Sequence, residues 1–145
     1  MSLENWLNNG WLVRHTTSPQ EIADLFGVAE RDLKDCRSEN LSADWRMNIA
    51  YNAGLQAATA ALAAAGYRAA RGLHHYRVIQ SLAHTIVSDK KLIAKFDQFR
   101  KKRNIGGYER AGLVSEQEAD EMFALARQLR EDVEIWIRAK YPDLL

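Results

Sequence analysis

Between Ala50 and Ala65 the chain carries very little side-chain volume. Ala50, Ala53, Gly54, Ala57, Ala58, Ala61, Ala64 and Ala65 are all small, and Ile49, Leu55 and Leu62 fill between them. The pattern predicts a helix from about Ser42 to Ala65, with Gly66 as its C-terminal stop. Neighbouring helices can approach so slim a helix closely, which places it at the centre of a bundle or at a dimer seam. Small residues at this spacing are common in alanine-rich helices and do not by themselves indicate a membrane. The most apolar window, Ala57 to Ala65, is far short of the roughly 20 apolar residues that cross a bilayer.

The other segments read as partners for that helix. Ser18-Pro19-Gln20-Glu21 is a helix start in which Ser18 caps, Pro19 occupies the first helical position and Glu21 completes a capping box. Ile22, Leu25, Phe26, Ala29, Leu33 and Cys36 then fall on one face, which makes Cys36 a structural thiol. After Gly66, the basic and aromatic stretch from Tyr67 to Arg77 leads into a third helix, with Leu73, Ile79, Leu82, Ile86 and Val87 as its core face. Ser88 marks a break or a fresh cap, and Leu92, Ile93, Phe96 and Phe99 continue the stripe until Gly106-Gly107. Ser115-Glu116-Gln117-Glu118 opens the last helix with a second capping box, and its apolar face runs from Ala119 to Ile137 before Tyr141-Pro142 stops it. Residues 1–17 read as a short helical piece and an arm, with Trp6 and Trp11 tucked against the body. No segment shows the period-two alternation of a half-buried strand. The expected fold is therefore all-α, an antiparallel four- to five-helix up-and-down bundle.

Composition bounds the rest. A chain of 145 residues that is 47% apolar fits one domain over residues 1–145 with a real core. A lone cysteine, Cys36, allows no internal disulfide, and the N-terminus lacks the basic start and apolar run of a signal peptide. A cytoplasmic location is the expectation. The net charge of +1 conceals a segregation. Residues 1–44 hold four cations against eight acids (net −4), residues 45–114 twelve against three (+9), and residues 115–145 four against eight (−4). Such asymmetry points to an anionic partner for the basic part, unless the acidic helices pack beside the basic ones and cancel the field.

The basic part culminates in Arg100-Lys101-Lys102-Arg103-Asn104-Ile105-Gly106-Gly107-Tyr108. Cations at a helix C-terminus complement the dipole, and glycine commonly follows, so a purely structural explanation exists. The added chemistry is an amide beside an arginine, glycines that allow close backbone approach, and a phenol. Together these suit phosphate binding through Arg100, Lys101, Lys102 and Arg103, with Asn104 and Tyr108 as further contacts. His74-His75 is the other candidate. Adjacent helical residues point about 100° apart, so the pair cannot jointly chelate a metal. One of them could act as general base or phosphate donor if the fold brings it beside Arg103. His84 reads as structural, and His15 carries no signal. Nucleophile-elbow, phosphate-loop and dinucleotide-binding signatures are missing, and no metal or cofactor is implied.

With these residues the chain resembles the HEPN domains, small all-helical proteins whose compact prokaryotic members often stand beside a minimal nucleotidyltransferase. The likeness covers most of the chain. It rests on the helix from Glu21 to Asp35, the small-residue helix ending at Gly66-Tyr67, the run His74-His75-Tyr76, and Arg103-Asn104-Ile105-Gly106-Gly107-Tyr108. Many members carry Arg-x-x-x-x-His, often with Asn after the Arg, and in the ribonuclease members this forms a composite active site across a homodimer. Here Arg103 and Asn104 match, while Tyr108 stands at the histidine position. A phenol with a pKa near 10 is a poor general base at neutral pH. The resemblance implies a homodimer that holds nucleotide or RNA phosphate near Arg103 and acts with a nucleotidyltransferase in a toxin–antitoxin-like or defence system. Two alternatives stand beside it: a metal-independent endoribonuclease in which His74 or His75 replaces the missing histidine, and a helical module that docks an acidic protein.

Overall fold

The structure, a computed structural model, describes residues 1–106 and 113–145. Its centre is the slim helix anticipated above. This helix, α3 (Ala43–Ala64), is capped by the Ser42 hydroxyl, which accepts from the Trp45 N–H, and from Met47 onward it is buried on nearly all sides. Two longer-faced helices cover it, α2 (Pro19–Asp35) and α6 (Glu116–Lys140), and these make its most extensive contacts. Close approach is visible at Gly54, where an added Cβ would lie 3.0 Å from the Phe96 ring.

Side-chain contacts fix the helix directions. Asn52 meets Asp32 and Arg46 meets the Cys36 carbonyl, so α2 and α3 run in opposite directions. Arg46 pairs with Glu116 and Asp120 near the start of both helices, while Ala64 and Gly66 line one pocket with Lys140 and Tyr141 near their ends, so α3 and α6 run in parallel. Helix α5 (Lys90–Gly106) is antiparallel to α6, since Lys95 pairs with Glu121 and Lys102 with Glu118. The long helices α2, α3, α5 and α6 thus alternate in direction.

Two capping predictions met different outcomes. At α6 the box closes: the Ser115 hydroxyl accepts from the Glu118 N–H, and the Glu118 carboxylate accepts from the Ser115 N–H at 3.1 Å. At α2 only half of it forms. Ser18 caps as expected, but the Glu21 carboxylate turns away to accept from Thr17 Oγ1 at 2.6 Å and to meet His15 Nε2 at 2.7 Å. These partners hold the Glu21 carboxyl below its usual range, the Thr17 hydroxyl most strongly. His15, which had no signal in the sequence, is therefore the strap between arm and body.

The arm also departs from the all-helical expectation. After the one-and-a-half-turn helix α1 (Leu3–Asn8) it forms β1 (Leu12–Arg14), which pairs antiparallel with β2 (Tyr67–Ala69), placing Leu12 opposite Ala69 and Arg14 opposite Tyr67. Three residues per strand are too few for alternation to register as a pattern. The coarse class nevertheless holds, with helix over 71% of the structure and one small two-stranded sheet. Trp6 is buried, edge-on to both Trp11 (5.8 Å) and His84 (5.2 Å), and the Arg77 guanidinium lies 3.8 Å from the Trp11 ring centre. Burial pushes the His84 pKa down, as befits a structural imidazole.

The third predicted helix is shorter than its stripe suggested. Helix α4 (His74–Gln80) passes into a 3-10 turn over Ser81–Ala83. Ile79 and Leu82 are buried as expected, but Leu73 and Val87 are exposed, each in the left-handed region with φ of 52° and 55°. They mark the two chain reversals that bound this segment rather than its core face. Cys36 ends α2 as a buried thiol that donates to the Leu33 carbonyl, and burial raises its pKa to about 11. Among the described residues no helix is long and apolar enough to cross a membrane.

Candidate functional site

Three helices bring one cluster together. Tyr51 comes from the third turn of α3, His75 and Tyr76 from the first turn of α4, Asp97 from the middle of α5, and Arg100 and Arg103 from its second half. The placement of α4 depends on a sharp reversal after β2, where Gly72 (φ 82°) and Leu73 (φ 52°) are both left-handed. Glycine takes that conformation at no steric cost, whereas leucine is strained in it.

Tyr51 is the floor of the cluster and is fully buried. Its hydroxyl lies 3.3 Å from His75 Nδ1, and the edge of its ring meets Phe96. The Arg103 guanidinium stands 5.2 Å from the Tyr51 ring centre, within cation–π range, and Arg100 stands 5.3 Å from the ring of Tyr76. Burial raises the Tyr51 pKa to about 12, against the opposing pull of Arg103 and Arg100, so the phenol stays protonated. His75 is shifted the other way: burial lowers its pKa, and the nearby charges of Arg103, His74 and Arg100 lower it further. Its imidazole is therefore neutral at pH 7. A protonated phenol can donate to Nδ1 of a neutral imidazole, and in that tautomer the ring proton sits on Nε2.

The basic run is less uniform than its sequence. Arg100 Nε donates to Asp97 at 2.7 Å, Lys101 reaches the same carboxylate at 3.7 Å, and Lys102 pairs with Glu118 of α6. Lys102 is the main reason that the Glu118 carboxyl sits below its usual range. Arg103 has no carboxylate partner among the described residues and rests on an aromatic face instead. Of the four candidate phosphate-binding cations, Arg103 thus keeps its charge least compensated. Gly107 and Tyr108 lie outside the described residues, as does the side chain of Asn104.

The two histidines go to different places. The His74 and His75 rings are 5.8 Å apart and tilted by 60°. His74 faces a pocket of about 220 Å³ with His15, Glu21, Thr59 and Tyr67, whereas His75 faces Tyr51 and the charge of Arg103. No group of three His, Cys, Asp or Glu among the described residues could hold a metal ion. Tyr51, Tyr76 and Asp97 were missed as site residues. Tyr51 did carry a signal, because a large aromatic within an otherwise small-residue helix has to be accommodated by its neighbours. No protein-family model, curated protein or solved structure matches this chain.

Chemically, the cluster offers one guanidinium without a carboxylate partner among the described residues, the protonated phenol of the buried Tyr51 and a neutral imidazole. A guanidinium fork accepts phosphate oxygens bidentately, and a neutral imidazole can donate through one nitrogen or take a proton.

Proposed function

We propose that this chain is an HEPN-like module that binds the phosphate of a nucleotide or RNA at Arg103, with His75 beside it and Tyr51 as support, and that it works as a homodimer with a nucleotidyltransferase partner. The observation that carries the reading is the Arg103 guanidinium, which has no carboxylate partner among the described residues, beside an imidazole whose lowered pKa keeps it neutral. Two cations repel, so a charged imidazole there would oppose the guanidinium, and a neutral one does not. An incoming phosphate anion reverses this balance: the Nε2 proton of His75 can be donated to it, and its charge favours the protonated imidazole. Binding of an RNA oligonucleotide or a nucleoside triphosphate should weaken with rising salt and be lost in Arg103→Ala. If neither ligand binds the wild-type chain with a salt-dependent affinity, the proposal fails. A monomer by light scattering would count against the dimer.

A second reading is favoured by the same imidazole. In the other tautomer, with its Nδ1 proton donated to the Tyr51 oxygen, Nε2 is free to take the proton of an attacking 2′-hydroxyl, and the neighbouring guanidinium would stabilise the pentavalent phosphate. Here His75 would fill the role of the histidine replaced by Tyr108. RNA turnover in metal-free buffer that vanishes in both His75→Ala and Arg103→Ala would establish cleavage over binding alone.

A further inference from the structure

A second cationic site lies between α2 and α6, on a different side of α6 from the Arg103 cluster. Lys34 and Arg37 come from the end of α2, and Phe123 and Arg127, one turn apart, come from α6. With Leu33 they line an open groove of about 480 Å³. The half-buried Phe123 ring has the Arg37 guanidinium 5.2 Å from its centre and that of Arg127 5.3 Å from it. At about 100° per residue, Phe123 and Arg127 project roughly 140–180° around α6 from Glu118, the residue that pairs with α5. The groove therefore cannot be part of the site at Arg103.

Chance does not readily explain the grouping. The segments that carry these cations, residues 1–44 and 115–145, are each net −4, so an isolated cation there has acids on hand. The neighbours use them: Arg130 pairs with Glu30 and Glu134, Arg138 with Glu134, and Arg46 with Glu116 and Asp120. Lys34, Arg37 and Arg127 form no ion pair among the described residues. Two exposed arginines without an ion pair among the described residues thus converge on one ring inside two acidic segments, and Lys34 lines the groove beside them. A guanidinium held over an aromatic face still has its N–H fork to offer for bidentate contact with phosphate oxygens.

We propose that this groove is a binding track for the phosphate backbone of single-stranded RNA. An acidic peptide offers the same charge, but both walls are α-helices whose backbone groups are already paired. An extended peptide would gain no main-chain hydrogen bonds there, whereas a nucleic-acid backbone needs only placed cations. The assignment does not rest on the reading of the Arg103 cluster.

The experiment measures binding of a fluorescent oligouridylate by anisotropy between 50 and 200 mM salt, on the wild type, Arg37→Gln/Arg127→Gln, Arg103→Gln, and the double variant in the Arg103→Gln background. All substitutions in the groove are at exposed residues, and thermal unfolding checks that they leave the fold intact. The groove double variant should reduce the slope of log K against log salt by about 1.4, two single-strand phosphate contacts at about 0.7 each. The same decrement should persist in the Arg103→Gln background, which separates this site from the other. An unchanged slope overturns the proposal, as does a wild type that does not bind the oligonucleotide. Displacement of the oligonucleotide by polyglutamate at equal charge concentration, lost in the groove variant, would overturn it in favour of an acidic protein partner.

Discussion

Gly54 and Gly27 are both interior helical glycines, yet opposite outcomes are expected when each becomes alanine. In an exposed helix interior this change is worth about 1 kcal/mol of stabilisation from propensity. Gly27 on α2 is exposed, with nothing within 4 Å of an added Cβ, so Gly27→Ala should realise most of that gain. At Gly54 the added Cβ would stand 3.0 Å from Phe96 Cζ and 3.5 Å from Met122 Cε. Met122 is flexible and can yield. Phe96 is fully buried and already meets Tyr51 edge-on with ring centres 5.4 Å apart, so the displacement passes to the floor of the Arg103 cluster. Overpacking of this kind costs about 1–3 kcal/mol, which offsets the propensity gain and leaves Gly54→Ala neutral to about 2 kcal/mol destabilised. The two variants should differ by about 1–3 kcal/mol, or several degrees in Tm. Urea unfolding followed by circular dichroism at 222 nm measures the gap. Equal stabilisation by both substitutions would refute the claim that close helix approach is what requires a glycine at position 54.

The electrostatics of the cluster can be tested through His75. Replacing Arg103 with glutamine removes one of the charges that depress its pKa, so the NMR titration of His75 should move up toward 6.5; no movement would separate the two side chains. Acid should destabilise the protein in two windows. The lowered pKa values of His75 and His84 give stability that is complete above their unfolded value of 6.5 and is lost as pH falls through the folded values. Those of Glu21 and Glu118 give stability that is complete above 4.5 and lost below it. The urea midpoint should therefore start to fall as pH drops below 6.5 and fall again below 4.5, and a rise on acidification would contradict the assignments. Asp32 is buried at 6% exposure, and the Asn52 amide donates to it at 2.7 Å. Asn52→Ala should cost about 1–3 kcal/mol in the same unfolding assay by leaving a buried carboxylate oxygen unpaired.

The parts of the fold that were legible in the sequence are those decided within one turn of the chain. Ser18 and Ser115 cap their helices as their positions indicate, and Ser42 caps where the slim helix was expected to begin, because a cap needs only a hydroxyl and the N–H three residues on. The close packing around α3 was legible for a similar reason, since small side chains leave one way to fill space. What was not legible depends on partners distant in sequence. The pairing of Leu12 with Ala69 joins segments more than fifty residues apart, and nothing local to either signals the other. Glu21 had a local partner available at Ser18 and took His15 and Thr17 instead, because folding of the arm places an imidazole there. Leu73 and Val87 fit an apolar stripe but sit at reversals whose backbone turns them into solvent.

The candidate site divides along the same line, and the division bears on which cation matters. Asp97 lies three residues before Arg100 and four before Lys101, so its engagement of both follows from helical spacing and was available from the sequence. The pairing of Lys102 with Glu118 was not, because it requires α5 and α6 to lie side by side. Only after both are accounted for does Arg103 emerge as the cation of the run without a carboxylate among the described residues, held instead on the ring of Tyr51. His74 and His75 make the same point: adjacency in sequence joined them, and the helical turn of about 100° sends one to the arm pocket and the other to Arg103. Among the described residues, a basic run of four therefore presents one guanidinium without a carboxylate partner beside one neutral imidazole. That is less charge than a uniform basic patch would bring to a sequence-independent grip, so the proposed ligand contact at Arg103 should involve a single phosphate.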